Sequence, residues 1–293
     1  MMRTLSSALV VALAVGQVAS FAPHHTPAKF SVPGSALSAR KPFITGNWKL
    51  NPTTRDECSE LATNIASSVD GGKDIDVALF VPSVFIKSVQ EAVGDKLLVG
   101  AETVCPQLSG AFTGEVSAPQ LKSVGITWAL AGHSERRAIF NEVDTYINSQ
   151  VTRLLEQGMS VVICIGETDS EYEQGLASAM CSMQLRKGLA GVSAEEMGRV
   201  VVAYEPVWAI GTGKVATPEV AQSVHENVRK ILGEMYGQKI ADETRILYGG
   251  SVTPDSVDDL MDRPDIDGVL VGGASLDAGK FGRIINFEAK VLA

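Results

Sequence analysis

Histidine is scarce in this chain and badly placed for a metal centre. Of four histidines in 293 residues, His24 and His25 fall within the first forty, leaving His133 and His225 for the remainder. That argues against a histidine-rich metal site, and no metal is expected. Cysteine is also sparse: Cys58, Cys105, Cys164 and Cys181 include no CxxC pair and no metal-ligand spacing. Reduced thiols in a non-secretory compartment are the ordinary reading of such spacing. There is no excess of positive charge, because 25 Lys and Arg face 34 Asp and Glu for a net charge of -9. Nucleic acid and anionic membrane are thereby disfavoured as partners. The apolar run Ala8–Val15 is too short to span a bilayer, so no membrane association is expected of the mature form.

Acidic residues are missing from the N-terminal segment, where the first is Asp56. Residues 1–20 carry one early Arg, the short apolar run and then small residues, with Val18 and Ser20 at signal-peptidase positions before Phe21. Residues 21–40 are rich in Ser, Ala and Pro and carry Lys29 and Arg40, a transit-like composition. The junction ASFAP resembles the bipartite leaders that deliver proteins into secondary plastids of diatoms and related algae. A plastid location follows as an expectation, with a mitochondrial or secreted protein as the alternatives. On this reading the folded domain is 41–293.

What is present from Phe43 onward is an alternation of short β-branched runs with longer amphipathic ones. Strand candidates are 43–49, 76–82, 97–102, 127–134, 160–167, 200–206, 245–251 and 268–274. Most are continuously apolar, as befits parallel strands covered on both faces. Thr217-Pro218 and Thr253-Pro254 read as helix starts, Thr54 and Glu57 as a capping box, and Gly158 as the cap closing a helix from Asp144 to Gln157. Eight strand–helix units predict an α/β fold, a single (β/α)8 barrel. An open doubly wound sheet would carry a glycine-rich nucleotide loop after its first strand, where this chain has Gly46-Asn47-Trp48-Lys49.

Polar residues gather at the C-terminal ends of these runs, the rim where barrel active sites lie. They are Asn47 and Lys49 on the first, His133, Ser134 and Glu135 on the fourth, Glu205 on the sixth, Ser251 on the seventh, and Gly272 and Gly273 on the eighth. Each alone could be a solvated loop residue, a core histidine or a tight turn. Together they suggest chemistry. Glu205, followed by the small-residue segment AIGTG, reads as a proton acceptor beneath a lid. Lys49 offers positive charge for an anion. His133, ahead of a helix start, suits a neutral imidazole that donates a hydrogen bond. The YGGS and VGGAS turns expose main-chain N–H groups that can hold a phosphate without a metal. The sum points to proton abstraction beside a carbonyl on a small sugar phosphate, with no cofactor.

The motifs GNWK (46–49), GAFTGE (110–115), AGHSERR (131–137), CIGE (164–167), AYEPVWAIGTGK (203–214), YGGSV (248–252) and VGGASL (271–276) occur in one order. From about Lys41 to the C-terminus they resemble the triosephosphate isomerase family. The resemblance implies a TIM barrel that interconverts dihydroxyacetone phosphate and glyceraldehyde 3-phosphate without a cofactor. It implies Glu205 as the base, His133 as the electrophile, Lys49 with Asn47 beside it as the substrate-binding charge, and Glu135 as the carboxylate near that lysine. It implies Gly211, Ser251, Gly272 and Gly273 as phosphate contacts, with 206–208 and 214–216 as lid hinges. It implies a homodimer in which the loop from Thr103 to Glu115 enters the partner, Thr113 approaching the partner's active site. The family commonly has Gln-Asn where this chain has Glu102-Thr103, which would alter hydrogen bonds near that interface. Cys164 matches a family cysteine, whereas Cys58, Cys105 and Cys181 match none and read either as inert thiols or as redox targets. The other readings are a sugar-phosphate epimerase on a similar barrel and a non-catalytic barrel scaffold. Carbon fixation and glycolysis both need this isomerisation, and the compartment decides between them.

Overall fold

The computed structural model describes residues 40–69, 71–210 and 216–288. The leader segments up to residue 39 lie outside these, as do Gly211 and the rest of 211–215. Arg40, assigned by composition to the leader, is bonded to the folded part. Its guanidinium donates to the Asp267 carboxylate and to the main-chain oxygens of Asp242 and Pro264.

The eight expected strands are all present: β1 (Phe43–Asn47), β2 (Asp76–Val81), β3 (Leu98–Ala101), β4 (Trp128–Ala131), β5 (Ser160–Ile165), β6 (Val200–Tyr204), β7 (Ile246–Tyr248) and β8 (Gly268–Val271). Each pairs in parallel with the next, and β8 returns to β1, closing the (β/α)8 barrel. Alternate strand residues explain the continuous apolar runs. Phe43, Phe80, Trp128, Leu130, Val162, Val201, Leu247 and Leu270 fill one buried cluster, the barrel interior. Their sequence neighbours, such as Ile44, Leu79, Val161, Val202 and Ile246, pack outward under the helices in a second cluster. Leaving both faces dry suits parallel strands, whose crossovers put helices over the sheet.

The strands end earlier than the apolar runs suggest. β4 stops at Ala131, β6 at Tyr204 and β7 at Tyr248, so that His133, Glu205 and Ser251 are in loops. Helix ends follow local chemistry. The Thr54–Glu57 capping box forms, and Thr217 accepts from the Val220 N–H with Pro218 at the first helical position. Gly158 has φ 71 just beyond the helix Asp144–Glu156. Thr253-Pro254 is a correction. The helix there is Val257–Met261, and Thr253 closes a turn ahead of it by accepting the Ser256 N–H. The hydroxyl finds its donor two residues too early to cap the helix.

Candidate active site

The strand ends converge as follows. Asn47, the last residue of β1, is buried, and its Oδ1 accepts the Lys49 N–H at 3.1 Å. Lys49 has φ 57, a left-handed conformation that a lysine seldom adopts. The turn carries its ammonium to Glu135, with Nζ and Oε1 2.7 Å apart. Glu135 stands in the first turn of the helix Ser134–Phe140, and His133 is that helix's N-cap. The Glu135 N–H donates to His133 Nδ1 at 3.3 Å. An Nδ1 that accepts leaves the proton of a neutral ring on Nε2.

That Nε2 lies 2.9 Å from Glu205 Oε1, and the Ser134 N–H donates to Glu205 Oε2 at 2.8 Å. Both oxygens of a carboxylate that is only 2% exposed are thus engaged. Burial opposes the charged form of each partner, but their mutual attraction outweighs it, aided at Glu205 by the Ser134 N–H. The Glu205 carboxyl is held below its ordinary value, and His133 is lifted while the two remain paired. Glycine makes room for the main chain and the side chain of Glu205. A Cβ on Gly166 would lie 1.8 Å from the Glu205 carbonyl oxygen, and one on Gly249 would lie 2.9 Å from Glu205 Cγ. Neither distance is tolerable for a real side chain.

Asn47, Lys49, His133 and Glu205 line a cleft of about 700 Å³ together with Ser251, Gly272 and Gly273, and the Lys49 side chain runs past Gly272, where a Cβ would lie 3.6 Å from its Cε. A Cβ on Gly273 would meet nothing within 4 Å, so its lack of a side chain keeps cleft space open. Of the expected site residues, Glu135 reaches the cleft only through Lys49, and Gly211 lies outside the described residues. The arrangement offers a carboxylate base, an imidazole that donates from Nε2, an ammonium and a glycine-lined recess for an anion; pairing with Glu205 favours the charged ring, against the neutral imidazole expected from the helix start.

Comparison with known proteins agrees with that chemistry. The family model described as triosephosphate isomerase matches residues 42–288. The chain is 45% identical over 250 residues to the triosephosphate isomerase of Carboxydothermus hydrogenoformans, covering 84% of this chain and 98% of that one. It is 44% identical over 249 residues to that of Roseiflexus sp., covering 85% and 98%, and 42% identical over 250 residues to that of Chloroflexus aurantiacus, covering 85% and 100%. The chain belongs to the triosephosphate isomerase family. It is an isomerase, and every strand of the barrel falls within the matched span.

Three further residues of this isomerase stand at or near the site with little sequence signal for it. Glu167, at the end of CIGE, is fully buried and accepts from Tyr204 Oη at 2.9 Å and Trp208 Nε1 at 2.7 Å, which ties β5 to the segment following Glu205. Leu270 and Lys280 both line the cleft, Leu270 as an interior residue of β8 and Lys280 from the helix Ala278–Ile285. Their only sequence signal was proximity to VGGASL. All four cysteines are buried, and burial pushes the Cys58, Cys164 and Cys181 thiols up, away from reactive thiolate. That favours inert packing over redox chemistry for Cys58 and Cys181.

Proposed function

We propose that Glu205, His133 and Lys49 carry the proton transfer by which this isomerase interconverts dihydroxyacetone phosphate and D-glyceraldehyde 3-phosphate. The observation that carries the assignment is that all three side chains line one cleft together with Ser251 and the Gly272–Gly273 turn. The substrate phosphate sits at that turn, where main-chain N–H groups meet no intervening side chain. The carbonyl lies between Lys49 and His133 Nε2. Glu205 removes a proton from the carbon beside the carbonyl, and the electron pair moves onto the carbonyl oxygen to give an enediolate. Lys49 and the imidazole N–H stabilise that oxygen, and the proton returns to the neighbouring carbon as protons are exchanged between the two oxygens through His133. Glu205 must first give up its bonds to His133 and Ser134, so substrate binding and release of the base are one event. Asn47 holds the Lys49 turn, and Glu135 orients the ammonium. No cofactor enters these steps.

The enzyme acts as a homodimer. In support, the segments that follow β1 to β4 expose Leu50 (89%), Val84, Leu108, Phe112, Val143 and, at the end of the helix Ser134–Phe140, Ile139 and Phe140. Such a concentration of apolar groups on neighbouring segments suits an interface. The loop after β3 is closed at its neck by the Cys105 N–H bonded to the Val116 oxygen at 2.8 Å, and it presents Phe112 and Thr113 outward. Thr113 would then meet the partner's active site. The leader directs the enzyme to a secondary plastid, where the isomerisation serves carbon fixation as well as glycolysis and gluconeogenesis. The composition of residues 1–40 supports this. Fusing those residues to a fluorescent reporter in a diatom tests it: plastid signal is expected, and signal confined to mitochondria or medium contradicts it.

A further inference from the structure

β5 runs on past the point where β4 leaves it. The two strands pair as far as Ala131 and Ile163, and β4 ends there. Beyond that point Ile165 and Glu167 face β6. The Ile165 oxygen accepts the Glu205 N–H at 2.7 Å, and the Glu167 oxygen accepts the Val207 N–H at 3.2 Å. Gly166, between them, turns its N–H and C=O to the opposite edge, which β4 has vacated. Gln184 takes that place. It stands on the helix Ala177–Gly188 and is buried. Its Oε1 accepts the Gly166 N–H at 2.7 Å, and its Nε2 donates to the Gly166 oxygen at 3.0 Å. One side-chain amide thus satisfies both main-chain groups of one residue, as a neighbouring strand would.

Gly166 is also the surface on which the Glu205 main chain rests. A Cβ on Gly166 would lie 1.8 Å from the Glu205 carbonyl oxygen and 2.7 Å from its carbonyl carbon, so the two main chains are in direct contact. The Glu205 carboxylate must leave His133 and Ser134 to act, and a fixed main chain decides where it arrives. We infer that Gln184 is a positioning residue for Glu205: it clamps the Gly166 peptide and so sets the point from which the carboxylate reaches the substrate carbon. It acts through Gly166, not on substrate. The inference rests on the assignment of Glu205 as the base and adds the support beneath it.

Gln184→Met keeps the length of the side chain and removes both bonds. Steady-state kinetics of the whole enzyme, well below the melting temperature of either form, test the idea. For Gln184→Met, kcat should fall roughly ten- to a hundredfold with KM within about twofold, the size expected when a reacting group is displaced by up to about 1 Å. The isotope effect on turnover of substrate deuterated at the carbon that loses its proton should rise, because proton removal is the step that slows. Gln184→Glu is the second variant, should the methionine form fail to fold. It keeps the shape and the acceptor for the Gly166 N–H, loses the donor to the Gly166 oxygen, and should lose kcat in the same sense. A structural brace alone would lower the melting temperature and leave kcat and the isotope effect of folded protein at the parent's values. That result in either variant overturns the inference, as does a change confined to KM. Glu205→Gln separates the two layers. If Glu205→Gln turns over like the parent, the base assignment itself fails. If it is impaired while Gln184→Met turns over like the parent, only the Gln184 role fails.

Discussion

Glu205 is held at both carboxylate oxygens, by His133 Nε2 and by the Ser134 N–H, and so is kept ionised although almost no solvent reaches it. In the proposed role, a base parked in this way has a depressed pKa while it waits and becomes more basic when the bonds are exchanged for an apolar substrate carbon. Lys49 is committed differently. Its left-handed backbone and its bond to Glu135 fix where the ammonium points. Removing it leaves the carbonyl oxygen with one donor fewer. Lys49→Ala should lower kcat/KM by about 10²- to 10³-fold, the usual cost of losing one stabilising donor, with the far-ultraviolet dichroism unchanged. Glu205, His133 and Lys49 were legible in the sequence because each ends or follows an apolar run, where a buried polar side chain needs a reason. Glu167 ends such a run too. Its partners, Tyr204 and Trp208, are dozens of residues away, and only the closed barrel brings them into contact.

Among the elements, the helix Pro218–Tyr236 carries the second histidine of the folded part. His225 is fully buried; its Nδ1 lies 3.0 Å from the Asp265 carbonyl oxygen, and its ring meets the edge of Tyr204. Facing a carbonyl, Nδ1 is the protonated nitrogen, and Nε2 has no partner. Burial is the main reason its pKa falls from 6.5 to about 4; the Asp265 carbonyl opposes the fall, and the Arg229 charge adds to it. A folded-state value below the unfolded one means that the folded state binds fewer protons in between. The contribution is therefore intact above about pH 6.5 and is lost as pH falls toward 4, by up to about 3 kcal/mol. Urea melts between pH 7 and 4.5 should show that slope, and His225→Gln should flatten it. At the end of β7, Gly249→Ala would push a methyl against Glu205 Cγ. Turnover should fall at least tenfold there and the melting temperature by several degrees, because the carboxylate has to shift and the methyl also crowds the Tyr204 carbonyl oxygen at the end of β6. Strand existence and order were legible because dry parallel strands read as unbroken apolar runs. Their C-terminal limits were not, since the ladder yields to loop hydrogen bonds before hydropathy changes. The Thr253 turn is the helix counterpart, as a Thr-Pro pair suits either a helix start or a turn.

At the scale of the molecule, the described residues form a barrel that is complete in backbone pairing yet exposes apolar side chains on the segments after β1 to β4. Those segments neighbour the active-site rim, so burying them in a dimer would brace Asn47, Lys49 and His133 from outside. Sedimentation should give twice the chain mass for the parent. Phe112→Asp should shift it toward monomer and cost activity along with assembly. A fully active monomer would contradict the dimer proposal. Composition drew the domain boundary after Arg40. Its bonds to Asp267 and two carbonyls lie more than two hundred residues away in the chain, beyond what composition can register.

The proposed role of Glu205 as the base that moves the proton stands or falls on the turnover of Glu205→Gln with glyceraldehyde 3-phosphate, measured beside the parent on protein shown to be folded. The expected result is a fall in kcat of about 10³-fold or more with the fold intact, because the amide keeps the shape of the carboxylate and cannot accept the proton. Turnover equal to the parent's would contradict the account.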